Sequence, residues 1–387
     1  MKKILHLSKY FTPYVAGIED VCLSVIQAIK GDCEQKVLCF NHEKGNISLK
    51  VSGVEVIRAD TFGEFARQPI SIAYFFLLKK YIQTFQPDII HLHVPNPLIC
   101  AYVMFVIPRR IELVVHWHSD IVVQPFIYTF FKPIEKWILK RAHKILITSP
   151  IYGEKSDPLR PFRDKFVVLP NIVFQNKMDI VQDDSKRIEQ LKEKYNNKPL
   201  VFFMGRHVPY KGLEYLIKSE AYIESDCKIL IAGSGPLTEK LKMMTSSERI
   251  EFIGRIPDND IRIYMSAAVI FAFPSITKNE AFGVALAEAM YCRAVPVTFT
   301  IDGSGVNWVN LNGVTGIEVA NKDYLAFAVA IDKLLCNDVL RQKYSDNARQ
   351  RVLDMFTIPV INISRTLCLD MFTIPVIKPI LKQLYRL

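Results

Sequence analysis

Several short stretches of this 387-residue chain hold side chains whose types and spacing could do chemistry. Phe202-Phe-Met-Gly-Arg-His-Val-Pro-Tyr-Lys-Gly212 puts Arg206 and Lys211 on a loop that ends an apolar run and precedes a helical pattern at Leu213, Leu216 and Ile217. The free N–H groups and dipole of a helix start favour an anion there; Arg grips phosphate oxygens as a fork and Lys adds a mobile charge. Alone, the stretch reads equally well as two solvated cations on a turn. Ile229-Leu-Ile-Ala-Gly-Ser-Gly-Pro236 leaves a second apolar run through Gly233, which lets backbone approach a ligand but is also a common tight exit from a strand. In Val269–Met290 an apolar run leads to Glu280, a helix start at Phe282-Gly283, and Glu288 in the second helical turn. Unsatisfied N–H groups at that start need an acceptor, and a diphosphate fits, with hydroxyl groups on either side for the two carboxylates. The bland alternative is a capping Glu280 and a solvated Glu288.

Two histidine pairs, His91-Leu-His93 and His116-Trp-His118, sit at strand ends, where spacing of two puts each pair on one face. Four imidazoles could ligate zinc, but no carboxylate or thiolate pattern accompanies them, so a metal site is not expected. The segment 126–144 mixes aromatics with Lys132, Lys136, Lys140, Arg141 and Lys144 against a single Glu135. Such a helix can lie on an anionic membrane, or equally be a core helix with a solvated basic face.

These residues must be positioned by alternating strands and helices. Strand-like runs at 35–40, 54–58, 88–93, 112–116, 144–148 and 165–169, mostly separated by helix-length segments, predict a doubly wound parallel sheet. A second series follows at 200–204, 227–232, 250–253, 269–272, 295–298 and 316–319. The expected organisation is an α/β domain over 1–180, a linker over 181–199, a second α/β domain over 200–352, and a helical C-terminal segment, 353–387. Two such domains imply a cleft between the carboxyl ends of two sheets. Leu353–Ile361 recurs unchanged as Leu369–Ile377, read as a local duplication without assigned function.

In this order and at these intervals, Gly205-Arg206…Lys211-Gly212, Gly233-Ser-Gly-Pro236 and Glu280-Ala-Phe-Gly-Val-Ala-Leu-Ala-Glu288 resemble the retaining GT-B-fold glycosyltransferase family 4, which includes bacterial mannosyl- and rhamnosyltransferases of polysaccharide assembly. The resemblance covers nearly the whole chain and is weakest after residue 353. It implies two Rossmann-like domains facing across a cleft. Arg206 and Lys211 would hold the donor diphosphate, Glu280 the donor sugar, backbone N–H of Phe282 and Gly283 the sugar or phosphate, and Glu288 the ribose. Gly233 would line the nucleotide, and Ile256, in Arg255-Ile-Pro257, would bracket its base. His118 would meet a sugar hydroxyl, and Gly17, in a loop where Ala16 replaces a family glycine, would approach the phosphates. His91, His93 and His116 are expected in the core or behind the site. The family is generally metal-independent, so no cofactor is expected. Its habits imply a nucleotide-sugar donor, with GDP-mannose the first choice and a UDP-hexose second. They also imply a lipid-linked saccharide acceptor of O-antigen or capsule assembly, and contact of 126–144 with the inner membrane's cytoplasmic face. A sugar-nucleotide epimerase of the same architecture is the alternative.

Composition narrows the classes further. Half the residues are hydrophobic and 23% charged, which excludes a disordered or fibrous chain. Apolar runs break too early for a membrane span, the start lacks a secretion-signal core, and the eight cysteines are scattered without a CxxC, as in a cytoplasmic protein. The net charge of +10 is concentrated in residues 1–180 and suits a polyanion, but no recognition helix or aromatic–basic sheet motif supports nucleic acid binding.

Overall fold

A computed structural model describes residues 1–13, 17–65, 68–121, 125–357 and 377–386. The chain forms two compact units, residues 1–170 with 377–387, and residues 171–376. The duplicated stretch and Ala16 fall largely outside the described residues; of the two copies only 353–357 and Ile377 are described.

The first unit has strands β1 (Lys3–Leu7), β2 (Glu34–Phe40), β3 (Ile47–Val51), β4 (Val54–Ala59), β5 (Gly63–Phe65), β6 (Gln68–Ile70), β7 (Ile89–Val94), β8 (Glu112–Trp117), β9 (Lys144–Ile147) and β10 (Phe166–Val168). Eight of them make one sheet, ordered β10-β9-β8-β7-β1-β2-β4-β3. Every pairing in it is parallel except that of β3, an edge strand antiparallel to β4. β7 is buried along its whole length and β8 along nearly all, because helices cover both faces of a parallel sheet. Those helices are α1 (Gly17–Ala28), α2 (Ile72–Thr84), α3 (Pro97–Val106), α4 (Pro125–Arg141) and α5 (Pro150–Lys155). Ser71, Asn96 and Ser149 cap α2, α3 and α5 by accepting a backbone N–H three residues on.

The second unit opens with helices α6 (Gln175–Met178) and α7 (Asp184–Lys194). Its six strands are β11 (Leu200–Met204), β12 (Lys228–Ala232), β13 (Ile250–Gly254), β14 (Ile270–Phe273), β15 (Val295–Phe299) and β16 (Ile317–Val319). They pair in parallel in the order β13-β12-β11-β14-β15-β16. Between them run α8 (Leu213–Glu220), α9 (Thr238–Lys242), α10 (Ile261–Ala267), α11 (Val284–Tyr291) and α12 (Val306–Val309), followed by α13 (Tyr324–Leu335) and α14 (Asp338–Met355). One apolar core built on Phe202, Phe203, Ile231, Phe271, Leu286 and Phe327 holds this unit together.

Two boundaries differ from the sequence expectation. The first unit ends at Pro170 rather than 180, and residues 181–199 pack into the second unit rather than forming a linker. Asp184, 1% exposed, takes both Nε and a terminal nitrogen of Arg262 at 2.6 and 3.1 Å, which fixes α7 against α10. The last helix, α15 (Ile377–Tyr385), belongs to the first unit, where Lys378 and Lys382 both pair with Asp32.

Candidate active site

Numbered from its own first strand, the second sheet has the order 3-2-1-4-5-6, and the direction of strand addition reverses between β11 and β14. Ligands of such sheets bind outside the carboxyl ends of the strands at that reversal. Two of the chemistry-bearing loops leave the sheet there. After β11 the chain passes Gly205 and the exposed Arg206, makes a short 3-10 turn at Pro209–Lys211, and enters α8 through Gly212. Gly212 has φ +61°, and a Cβ on it would lie 2.1 Å from the Pro274 carbonyl oxygen, just beyond β14. Only glycine permits that approach. The Ile276 N–H donating to the Tyr210 carbonyl at 2.9 Å ties the two loops a second time.

That approach joins Lys211 to Glu280. The Lys211 ammonium donates to Glu280 Oε2, with the two side chains 10% and 13% exposed. Ser275 Oγ donates to the same oxygen at 3.2 Å, and Ser304 Oγ donates to the Glu280 carbonyl. Lys211 also lies over the Phe273 ring, 4.7 Å from its centre. Glu280 therefore does not cap α11. That helix is entered through Gly283, whose φ is +92°, and no described side chain caps it.

Its first turn thus keeps the anion-favouring end that the sequence suggests. Phe282 contributes backbone only, since its ring is 2% exposed and packs edge-on against Phe356. Glu288 lies half-buried in the second turn of α11.

The neighbouring strand ends complete the rim. Gly233, φ +108°, follows β12, and a Cβ there would meet the Gly205 carbonyl oxygen at 2.0 Å, so the loops after β11 and β12 touch through backbone. Ile256, 7% exposed, follows β13. The structure thus brings Arg206, Lys211, Gly233, Ile256, Glu280, Phe282 and Gly283 to one edge of one sheet, with Lys211 and Glu280 in contact. Ser275 and Ser304, which hold Glu280, carry no signal in the sequence beyond their residue type.

In the first unit, Gly17 begins α1 and is exposed; among the described residues a Cβ there would meet nothing within 4 Å. His118 follows β8, buried, its backbone N–H on the Val94 carbonyl at 3.0 Å and its Nε2 2.9 Å from His93 Nδ1. Burial lowers its pKa to about 3, so the ring is neutral. His91, His93 and His116 are all buried, as expected, and are joined by His6 of β1, registered directly against His91. Sequence reasoning misses His6 because it sits inside an apolar strand with no partner nearby in sequence.

The comparisons with known proteins cover the same ground. The family model "Glycosyltransferase Family 4" matches residues 15–174, and "Glycosyl transferases group 1" matches residues 184–351. The O-antigen chain mannosyltransferase C of Escherichia coli is 29% identical over 92% of this chain and 94% of its own. The D-rhamnosyltransferase WbpZ of Pseudomonas aeruginosa is 27% identical over 92% of each. Among solved structures, a sucrose-phosphate synthase from Thermosynechococcus elongatus aligns with TM-score 0.78 at 19% identity, covering 100% of this chain and 98% of that one. Anabaena Alr3699/HepE in complex with UDP aligns with TM-score 0.74 at 17% identity, covering 100% of both.

Proposed function

The chain belongs to the group 1 and family 4 glycosyltransferases and has their GT-B fold, and on that premise we propose that it moves a hexose from a nucleotide sugar to a lipid-linked saccharide in surface-polysaccharide assembly. The observation that carries this reading is the Lys211–Glu280 pair at the switch point of the second sheet, beside the uncapped start of α11. A sugar diphosphate needs cations at its phosphates and an acceptor for its sugar hydroxyls, and Lys211 and Glu280 supply one of each. Arg206, exposed on the same loop, adds a second cation, and Glu288 would accept from the ribose.

As the sugar–phosphate bond breaks, positive charge grows at the anomeric carbon and negative charge on the departing diphosphate. Preorganised cations and N–H groups at Arg206, Lys211 and Gly283 stabilise that leaving charge, and stabilisation of this kind usually lowers a barrier more than any other single effect. Among the described residues no carboxylate stands out as a nucleophile. Given the retaining outcome that the resemblance to family 4 implies, the proposed route is front-side attack, the leaving phosphate taking the acceptor's proton. His118, held neutral, can offer a hydrogen bond to a substrate hydroxyl but cannot protonate it. With cations supplied by side chains, transfer needs no divalent ion at the diphosphate.

GDP-mannose is the proposed donor, supported by the E. coli relative's mannosyl transfer. The structure of HepE with UDP favours a UDP-hexose as the second reading. The face of α4 exposes Phe130, Lys132, Lys136 and Lys140, and the exposed Phe105 lies on α3, which packs against α4. This is the proposed contact with an anionic membrane; no described helix is long and apolar enough to cross one. Titration with GDP, UDP and dTDP, followed by thermal shift, tests the donor. GDP should raise the melting temperature most, because product nucleotide stabilises the native state by mass action. Failure of every nucleoside diphosphate to do so overturns the reading. Turnover of donor without any acceptor would point to the epimerase instead.

A further inference from the structure

The first unit carries a cluster that the transfer reaction does not use. His6 of β1 and His91 and His93 of β7 project from adjacent strands, in register at His6 and His91, and all three are at most 2% exposed. Their rings lie close: His91 and His93 stack at 4.4 Å between centres, and His6 stands 5.1 Å from His91 and 6.5 Å from His93. One nitrogen from each can be chosen so that all three lie within 4.8 Å of one another.

Hydrogen bonding divides the nitrogens of each ring in the same way. His6 Nε2 is 3.0 Å from Gln35 Oε1, an acceptor, so Nε2 carries the proton. His91 Nδ1 is 2.8 Å from the Tyr385 hydroxyl, brought there by α15. His93 Nδ1 is 2.9 Å from His118 Nε2. The opposite nitrogens, His6 Nδ1, His91 Nε2 and His93 Nε2, are buried and have no hydrogen-bond partner among the described residues. Leaving such a group unsatisfied costs about 1–3 kcal/mol each. Three together in one place need an explanation.

From this geometry we infer a site for a borderline transition-metal ion of the Zn2+ class, ligated by His6 Nδ1, His91 Nε2 and His93 Nε2. Three imidazoles with an open fourth position are a recurrent zinc donor set, and a metal-bound histidine nearly always has its other nitrogen held by an outer partner. Here Gln35, Tyr385 and His118 are those partners, with the Tyr385 hydroxyl and His118 Nε2 accepting. Nitrogen-only ligation selects Zn2+, Co2+ or Ni2+ over Mg2+ or Ca2+. Metal–nitrogen bonds of about 2.0–2.1 Å would bring tetrahedral ligand atoms to about 3.4 Å apart, inside the 4.8 Å within which one nitrogen of each ring already lies. His116, with neither nitrogen partnered among the described residues and its ring 5.5 Å from that of His91 and 5.2 Å from that of His93, supplies a fourth imidazole beside the three. The site's ligands all belong to the first unit, whereas the residues proposed for the diphosphate belong to the second.

The test uses full-length protein without a polyhistidine tag, stripped of metal and titrated with Co2+. Ligation by three or four nitrogens should give visible absorption bands of a four- or five-coordinate ion saturating at one per chain, and Zn2+ should displace them. Metal analysis after dialysis should find about one Zn2+ per chain. Tyr385→Phe, which keeps the buried ring, should weaken Zn2+ binding about 10–100-fold. His6→Gln should lower it further. Absence of the bands and of retained Zn2+ in the unaltered protein overturns the site, whatever the variants do. Undiminished binding in both variants also overturns it, since the ion then sits elsewhere.

Discussion

Replacing Lys211 and Glu280 singly and together separates what the pair does for the fold from what it does for the reaction. Both side chains are about a tenth exposed, so screening is weak. A contact pair at an effective dielectric of ~20 attracts by about 4 kcal/mol before desolvation is subtracted. Removing one partner of a fully buried pair costs about 3–5 kcal/mol. Lys211→Met leaves Glu280 with Ser275 alone and, at this slight exposure, should cost about 2–3 kcal/mol of the second unit's stability. Glu280→Gln should cost less, about 1–2 kcal/mol, because Lys211 keeps the face of Phe273. The double variant strands no charge, so its loss should fall short of the sum by about 1.5–3 kcal/mol. Activity should follow a different rule. A donor aimed at developing charge is worth about 10²–10³ in rate, so all three variants should lose at least that factor in kcat/KM, and the double should recover none of it. Urea unfolding followed by circular dichroism, beside transfer kinetics, gives both readings. Additive stabilities would refute the buried pair as drawn; a double variant with restored turnover would refute its part in catalysis.

Three further outcomes follow. Gly233→Ala should destabilise the second unit and abolish nucleotide binding, because its Cβ would fall 2.0 Å from the Gly205 carbonyl oxygen at a φ of +108°; a soluble variant with an unchanged nucleotide thermal shift would contradict that contact. Asp184→Ala strands the fork of Arg262 and should cost about 2–4 kcal/mol, measurable as a lower urea midpoint, whereas a true linker position would cost nothing. Lys132→Glu with Lys136→Glu should weaken sedimentation with phosphatidylglycerol vesicles by about tenfold or more, at about 1 kcal/mol per cation, while leaving binding to neutral vesicles unchanged; equal binding to both vesicle types by the native protein removes α4 as an electrostatic anchor.

What the sequence revealed and what it hid divide along a physical line. Every strand of the second sheet was legible, because strands buried on both faces read as runs of Val, Ile, Leu and Phe such as Leu200–Met204 and Ile270–Phe273. β3 was not: on a sheet edge with mostly exposed side chains, Ile47–Val51 shows no apolar run. The loops holding Arg206, Lys211 and Glu280 were legible from strand exits and glycine spacing. That Lys211 and Glu280 touch was not, since 69 residues separate them and only the neighbouring of β11 and β14 closes the gap. The histidine pairs were visible, but not the third strand and the last helix that complete them, with Tyr385 lying 294 residues from His91. Local spacing records which face a residue takes, while strand order decides whom it meets there. The docking of α7 escaped notice for a related reason: a polar helix after a run of Asn, Asp and Gln looks like a linker until Arg262 appears opposite Asp184.

The pairing of Lys211 with Glu280 also bears on how a diphosphate sugar would be received. An isolated ammonium at this depth would lose hydration without compensation and gain a reason to rearrange. Held by Glu280 and Phe273, it is aimed at the switch point. On the proposed reading, a donor brings its own negative charge to Lys211 and its own hydroxyl donors to Glu280, so each partner exchanges one favourable contact for another. The net attraction in the ground state is then modest, since the donor must compete with an existing ion pair. As the leaving diphosphate gains charge, the pull on Lys211 grows while that of Glu280 stays constant, and the difference is expressed at the transition state, where binding accelerates chemistry.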